Sequence, residues 1–254
     1  MATVRSTLLG LASALRVLAL KPSGPTGRFA SEARVAVRTQ AFRLDANIPA
    51  LTLSTLLSDV GTVHLPDPGS FVGGVGSVEY YYALGALVSS IKPGTILEFG
   101  TFAGTATLTM AMNAPRDCRI ITIDLPEDTD GAGLDGADLD LALRAKGICG
   151  RAFRDTPFAD RITQIRADST ALDVARVAQQ VDLALVDGGH TYGIIKSDTE
   201  KALSVLSDRG VVVWDDYWSY YPDVVRYLDE LRERLPLSRI EGTNLVVYGR
   251  WVRS

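Results

Sequence analysis

The sequence predicts an α/β protein: a doubly wound, mostly parallel, seven-stranded sheet with a helical appendage on its N-terminal side. Three observations carry this. From Thr95 onward, strand-like and helix-like segments alternate, the pattern of a parallel sheet covered on both faces. The first of those strands runs through Ile96-Leu97-Glu98-Phe99 into a turn, Gly100-Thr101-Phe102-Ala103-Gly104, and then into a helix-compatible segment from Thr105. Such a corner lets backbone approach a nucleotide where a Cβ would collide. Finally, Glu98, Asp124, Asp168, Asp187 and Asp215 all fall at the ends of expected strands, and ligands of open α/β sheets sit outside those carboxyl ends.

The elements follow in order. Leu8 to Leu20 is apolar but interrupted by Arg16, and it is too short to span a bilayer. It reads as an amphipathic helix packing on the body or on a second subunit, which makes a homodimer or higher oligomer the expectation. Its Arg-, Ser- and Ala-rich, acid-poor composition also leaves membrane-surface attachment or targeting open. Lys21 to Gly27 breaks the helix as a linker. A second helix is expected from Ile48 to Val60, then an irregular loop, His64 to Gly69, in which His64 is a loop histidine. Gly73-Gly74-Val75-Gly76 has no strand before it and no Lys-Ser/Thr after it, so it fails as a phosphate loop. Ser77 is the expected N-cap of a helix through Tyr80-Tyr81-Tyr82 to Ile91, with Glu79 in its first turn. The chain thus divides into an arm and linker, 1–76, and a main domain, 77–254.

Within the main domain, strands are expected at 95–99, 119–124, 161–167, 181–187 and 210–214. Helices follow at 138–146, 171–180, 191–206 and 222–234. Residues 237–241 and 244–250 close the domain as a hairpin about Gly242-Thr243. The acid-rich loop from Asp124 to Asp140 resembles a calcium loop, but Pro126 and Ala137 occupy its first and last ligand positions. It reads instead as a solvated loop or lid.

Composition limits the function classes. Hydrophobic content of 46% and charged content of 22% are those of a soluble globular protein. Cys118 and Cys149 fit neither a disulfide framework nor a zinc spacing, so both are read as core residues and a reducing cytoplasm as the setting. The net charge of −4 is uneven: residues 1–43 carry seven basic side chains and one acid, leaving the remainder at about −10. A body this acidic argues against nucleic-acid binding by the main domain, and only the basic N-terminal arm could touch an acidic partner.

The glycine turn then selects its ligand. A dinucleotide site needs Gly-x-Gly-x-x-Gly, with the middle glycine making room for pyrophosphate. Here Phe102 stands at that place, which argues against an NAD-dependent oxidoreductase. Glu-x-Gly-x-x-x-Gly followed by an acid at the end of the next strand suits a smaller, cationic nucleoside. Asp124 would accept from both ribose hydroxyls, and the turn would lie against an amino-acid tail.

Ile96 to Gly104 resembles the first motif of class I S-adenosylmethionine-dependent methyltransferases, a Rossmann-like fold, and the likeness runs over roughly residues 77–250. It implies S-adenosylmethionine as cofactor. Glu98, Gly100, Thr101, Phe102, Gly104, Thr105, Asp124 and Asp187 would bind it, and Asp168-Ser169 would stand beside the adenine. Two further stretches, Leu185-Val186-Asp187-Gly188-Gly189-His190-Thr191-Tyr192 and Val212-Val213-Trp214-Asp215-Asp216-Tyr217, resemble the bacterial family related to macrocin O-methyltransferase, and catechol O-methyltransferase. That resemblance implies Asp187, Asp215 and Asp216 as ligands of Mg²⁺ or another divalent cation. Three carboxylates at one sheet edge repel each other, which a hard cation relieves. The alternative is that Asp187 and Asp215 only cap the helices that follow. His190 occupies the place of the catechol family's lysine base, and its near-neutral intrinsic pKa suits a general base; alternatively it only hydrogen-bonds the helix start. Trp214, Tyr217, Trp218, Tyr220 and Tyr221 are divided between core packing and an acceptor wall. The expected activity is metal-dependent O-methylation of a small hydroxylated acceptor, a natural-product sugar or a phenol. A non-catalytic binding module that keeps the fold is the remaining alternative.

Overall fold

The computed structural model describes residues 46–67, 76–129, 134 and 136–249, with backbone alone at residue 137. The expected N-terminal helix and its linker, residues 73–75, and residues 130–133 and 135 of the acidic loop lie outside the described residues.

Among the described residues, eight strands form one sheet. They are β1 (Ala50–Leu51), β2 (Thr95–Phe99), β3 (Arg119–Asp124), β4 (Ile162–Arg166), β5 (Val181–Val186), β6 (Leu206–Trp214), β7 (Ser238–Ile240) and β8 (Val246–Gly249). Their order is β1-β7-β8-β6-β5-β2-β3-β4. All neighbours are parallel except β8, which is antiparallel to both β6 and β7. Seven of these strands are the expected sheet. The eighth, β1, comes from the segment the sequence assigns to a helix over 48–60, and that expectation is corrected. Pro49 and Leu51 offer their carbonyls to Arg239 N (2.8 Å) and Glu241 N (2.9 Å), so the edge of β7 captures two residues as strand. Only one helical turn remains, α1 (Leu53–Leu56), opened by Thr52, whose side chain accepts from Thr55 N.

Five of the other helices match their expected positions. α2 (Val78–Ile91) begins at Ser77, whose hydroxyl accepts from Tyr80 N, and carries Glu79 in its first turn. It buries Leu84, Ala86, Leu87 and Val88 against Ile96 of β2 and Leu183 and Leu185 of β5. α3 (Thr105–Asn113) follows the glycine turn, and α4 (Gly136–Ala145) follows the acidic loop. A four-residue helix, α5 (Arg151–Arg154), was not anticipated. α6 (Tyr192–Val205) starts after Thr191, and α7 (Pro222–Leu231) has its proline in the first turn, where the missing N–H costs nothing.

The helix expected over 171–180 is corrected to a single 3₁₀ turn, Val174–Arg176. Local bonds compete with the helical ladder there. Asp168 Oδ1 accepts from the Thr170 N–H (2.8 Å) and hydroxyl (2.7 Å), while Lys201 Nζ binds the carbonyls of Ser169 and Thr170. Among the described residues no helix is long and apolar enough to cross a membrane. Cys118 and Cys149 are both free and buried.

The chain leaves β2 towards β3 on one side and β5 towards β6 on the other. β2 and β5 are adjacent, so the crevice at their carboxyl ends is the topological switch point where a ligand is expected.

Candidate active site

The glycine turn is built against protein on both sides. Gly100 has φ +91°, and a Cβ there would lie 1.9 Å from the carbonyl oxygen of Asp187. The turn after β5 thus crosses directly over the turn after β2, fixed by Asp187 N to Phe99 O at 2.9 Å. Gly104 has φ +84°, and its Cβ would strike the Phe153 ring at 2.7 Å. The first requirement for these glycines is therefore chain crossing and the docking of α5. Phe102, at the position a middle glycine would hold, also lies in the left-handed region at φ +45°, a conformation that costs a non-glycine residue about 1 kcal/mol or more.

Asp124, the last residue of β3, closes this turn. Its Oδ2 accepts from Thr101 N (3.0 Å), Phe102 N (2.7 Å) and the Cys149 thiol (3.2 Å). Its Oδ1 accepts only the Leu125 N–H (2.7 Å) among the described residues, which leaves lone pairs for a hydroxylated ligand. Burial and the neighbouring Asp124 push the Cys149 thiol well above its ordinary range, so it acts as a donor here. Beneath the turn, Glu98 is fully buried. Thr107 donates to its Oε2, while its Oε1 has no partner among the described residues. Burial lifts this carboxyl to about 8, against the opposing bonds from Thr107 and Thr122. Thr101 and Thr105 are buried too, Thr101 sharing its hydroxyl with Thr122 at 2.6 Å.

Asp168 and Ser169 sit in the turn beyond β4, just after Ala167, whose N–H bonds the Asp124 carbonyl at 2.9 Å. Next to them is an acid the sequence reading passed over, Asp198 of α6. It is buried, and its Oδ1 lacks a partner among the described residues. Burial pushes it up to about 6, with Ser169 and Lys201 opposing. A signal existed: α6 buries Ile195, Asp198, Thr199, Ala202 and Val205, so helical spacing alone puts an acid in the apolar stripe.

At the carboxyl ends of β5 and β6 the structure gathers Asp187, Asp215 and Asp216, with one oxygen of each within 4.8 Å of the others. Burial and mutual repulsion raise Asp187, and burial together with Asp216 raises Asp215. Tyr80 of α2 donates its hydroxyl to Asp187 Oδ2 at 3.2 Å. Asp216 is held at φ +63°, with Oδ1 accepting from Trp218 Nε1 (3.2 Å) and Oδ2 meeting His190 Nε2 (2.7 Å). An all-oxygen, triply acidic donor set of this kind suits a hard divalent cation.

His190 is clamped. Beyond Asp216 on Nε2, its Nδ1 meets Asp138 Oδ1, and its backbone N–H lies 3.1 and 3.0 Å from the two Asp138 oxygens. The ring stacks on Tyr221 at 3.8 Å and 13°. Burial pulls the imidazole down, but the bonds to Asp138 and Asp216 outweigh it and raise its pKa to about 10. Asp138 is the second residue the sequence reading did not single out; among the many acids of its loop nothing in the sequence distinguishes it.

The aromatic set separates. Trp214 and Tyr217 are core: the indole N–H of Trp214 bonds Thr199 Oγ1 at 2.8 Å, and the Tyr217 hydroxyl donates to Asp229 at 2.6 Å. Trp218, Tyr220 and Tyr221 form the wall beside His190. Trp218 stacks on Tyr220 at 5.4 Å, Tyr221 meets Tyr220 edge-on at 5.1 Å, and Tyr220 is 58% exposed.

Residues 97–217 match a family described as a methyltransferase domain. No curated protein matches the chain. Among solved structures, the O-methyltransferase NovP is similar over 68% of this chain and 80% of its own, at 19% identity and a TM-score of 0.54. A methyltransferase from Geobacter sulfurreducens is similar over 98% of this chain and 95% of its own, at 14% identity and a TM-score of 0.51. At these identities the likeness is one of fold.

Proposed function

From the premise that residues 97–217 carry a methyltransferase domain, we propose that the chain is an S-adenosylmethionine-dependent, divalent-cation-assisted O-methyltransferase. Its acceptor is a small hydroxylated molecule, a natural-product sugar or a phenol. The observation that carries this reading is the trio Asp187, Asp215 and Asp216 converging within 4.8 Å beside His190.

In this reading the turn Gly100, Thr101, Phe102, Gly104 and Thr105 cradles the amino-acid end of the donor. Glu98 braces it from below, with one oxygen lacking a donor among the described residues. Asp124 offers its Oδ1 to the ribose, Asp168-Ser169 lie beside the adenine, and Asp187 borders the donor on the metal side. Trp218, Tyr220 and Tyr221 form the acceptor wall, where planar or CH-rich faces pack well. Methyl transfer forms the acceptor O–C bond as the S–C bond breaks. The sulfonium leaves as a neutral thioether, and the hydroxyl proton passes to Nε2 of His190. Alignment of donor and acceptor is the protein's main contribution, because the sulfonium methyl is already activated. A cation such as Mg²⁺, held by Asp187, Asp215 and Asp216, supplies positive charge that acidifies the acceptor hydroxyl and lowers the proton affinity of His190.

The test compares wild type and Asp187→Ala, each chelator-treated and then supplied with Mg²⁺, against sugar, phenol and carboxylate acceptors. The variant should bind S-adenosylmethionine in a calorimetric titration yet give no turnover. Normal turnover by the chelator-treated variant would refute the metal-assisted reading. Titration with NAD in place of S-adenosylmethionine should give no binding.

A further inference from the structure

Asp138 is a buried carboxylate whose hydrogen bonds, among the described residues, all go to His190. Its side chain is 7% exposed, and that of His190 10%. It takes the His190 backbone N–H with both oxygens, at 3.1 and 3.0 Å, and the imidazole Nδ1 with Oδ1. The contact spans 52 residues and links the first turn of α4 to the turn that leads from β5 into α6. Burying a carboxylate is costly unless its partners donate hydrogen bonds to it, and His190 meets it with both its backbone N–H and its ring.

We propose that Asp138 is the positioning residue of the site. By accepting from Nδ1–H, it fixes the imidazole about its outer torsion and keeps the Nδ1 proton in place. Nε2 is thereby the nitrogen directed at Asp216 and the reacting hydroxyl. The backbone contact fixes the position of Cα, the side-chain contact fixes the ring, and the Tyr221 face fixes its plane. An imidazole without such an orienting acceptor samples both ring flips and both tautomers. This rests on the reading of His190 as the base, but its structural half can be tested without turnover.

The variant is Asp138→Ala, with Asp138→Asn as the conservative control. Alanine offers Nδ1–H no acceptor, whereas the asparagine amide oxygen can still accept from it. The chain has only two histidines, so long-range ¹H–¹⁵N correlations of the imidazoles in chelator-treated protein are assigned with His64→Gln alone. Wild type should show a downfield, exchange-protected Nδ1 proton on His190, and Asp138→Ala should lack it. With Mg²⁺, S-adenosylmethionine and an acceptor, Asp138→Ala should lose at least about 100-fold in kcat, the low end of a general base's contribution. The KM for acceptor and the affinity for S-adenosylmethionine should stay within about 2-fold, as uniform binding is untouched. A retained Nδ1 proton in Asp138→Ala, or a kcat within about 3-fold of wild type, would overturn the proposal. If wild type methylates no acceptor, the O-methyltransferase reading fails while the resonance still decides whether Asp138 orients the ring.

Discussion

Replacing Glu98 with glutamine isolates the most deeply buried acid beside the glycine turn. Glu98 is fully inaccessible, so solvent screening does not dilute its energetics. Its carboxyl has an ordinary value of 4.5 and is lifted to about 8, first by burial, with the hydroxyls of Thr107 and Thr122 opposing. Between those values the folded protein keeps a proton that the unfolded chain has released. Stability contributed by this group is therefore fully present below pH 4.5 and is lost as pH rises through about 8, at about 1.4 kcal/mol per pH unit. From pH 5 to pH 8 the loss sums to roughly 3 to 4 kcal/mol, a large share of a typical folding stability of about 5–15 kcal/mol. Glutamine has the shape of the protonated acid and does not titrate. Glu98→Gln should then match wild type near pH 5 and exceed it by about 3 kcal/mol at pH 8, or roughly 6–12 °C in Tm for a chain of this size. Urea unfolding of chelator-treated wild type and variant at pH 5, 6, 7 and 8, followed by far-UV circular dichroism, measures the difference. Asp198 and the metal-site acids titrate in both proteins and cancel. Parallel stability curves across pH 5–8 would refute the reasoning.

Three further outcomes follow from the same geometry. Gly100→Ala places a Cβ 1.9 Å from the Asp187 carbonyl at a φ of +91°, so thermal unfolding should show a loss of at least about 3 kcal/mol from backbone strain and a broken crossing; a loss under about 1 kcal/mol would mean the two turns do not cross so closely. Asp187→Asn removes one of three mutually repelling carboxylates. The chelator-treated variant should melt above wild type, while wild type alone gains from saturating Mg²⁺, by about 2.7 kcal/mol at 100 times Kd. Trp214→Phe removes the buried N–H that reaches Thr199 at 2.8 Å and should cost about 2 kcal/mol in urea unfolding, with donor binding unchanged by calorimetry.

The strand–helix alternation, the helix starts at Ser77 and Thr191, the proline opening at Pro222 and the closing hairpin were all legible, because each rests on local chemistry: a capping hydroxyl, a missing N–H, a period of apolar residues. The same local reasoning failed where a distant partner outbid it. Residues 48–60 carry helical spacing, yet the unpaired edge of β7 offered hydrogen bonds that only the assembled sheet provides. Residues 171–180 lost their helix to Asp168 and Lys201, the latter 31 residues beyond the Thr170 carbonyl it binds.

The candidate site divides along the same line. Sequence alone determined its components: acids at strand ends, a glycine turn without the middle glycine, and a histidine three residues after Asp187. These follow from spacing, and spacing is a property of the chain. Only the tertiary structure decided what the components do to one another. It showed Gly100 making room for the Asp187 carbonyl, Asp124 closing the turn, and Trp214 and Tyr217 turned into the core. It also selected Asp138 from a run of similar acids. A carboxylate's neighbours in space are set by the sheet order, and the sheet order, which puts β5 beside β2, is fixed by packing that no short stretch of residues encodes.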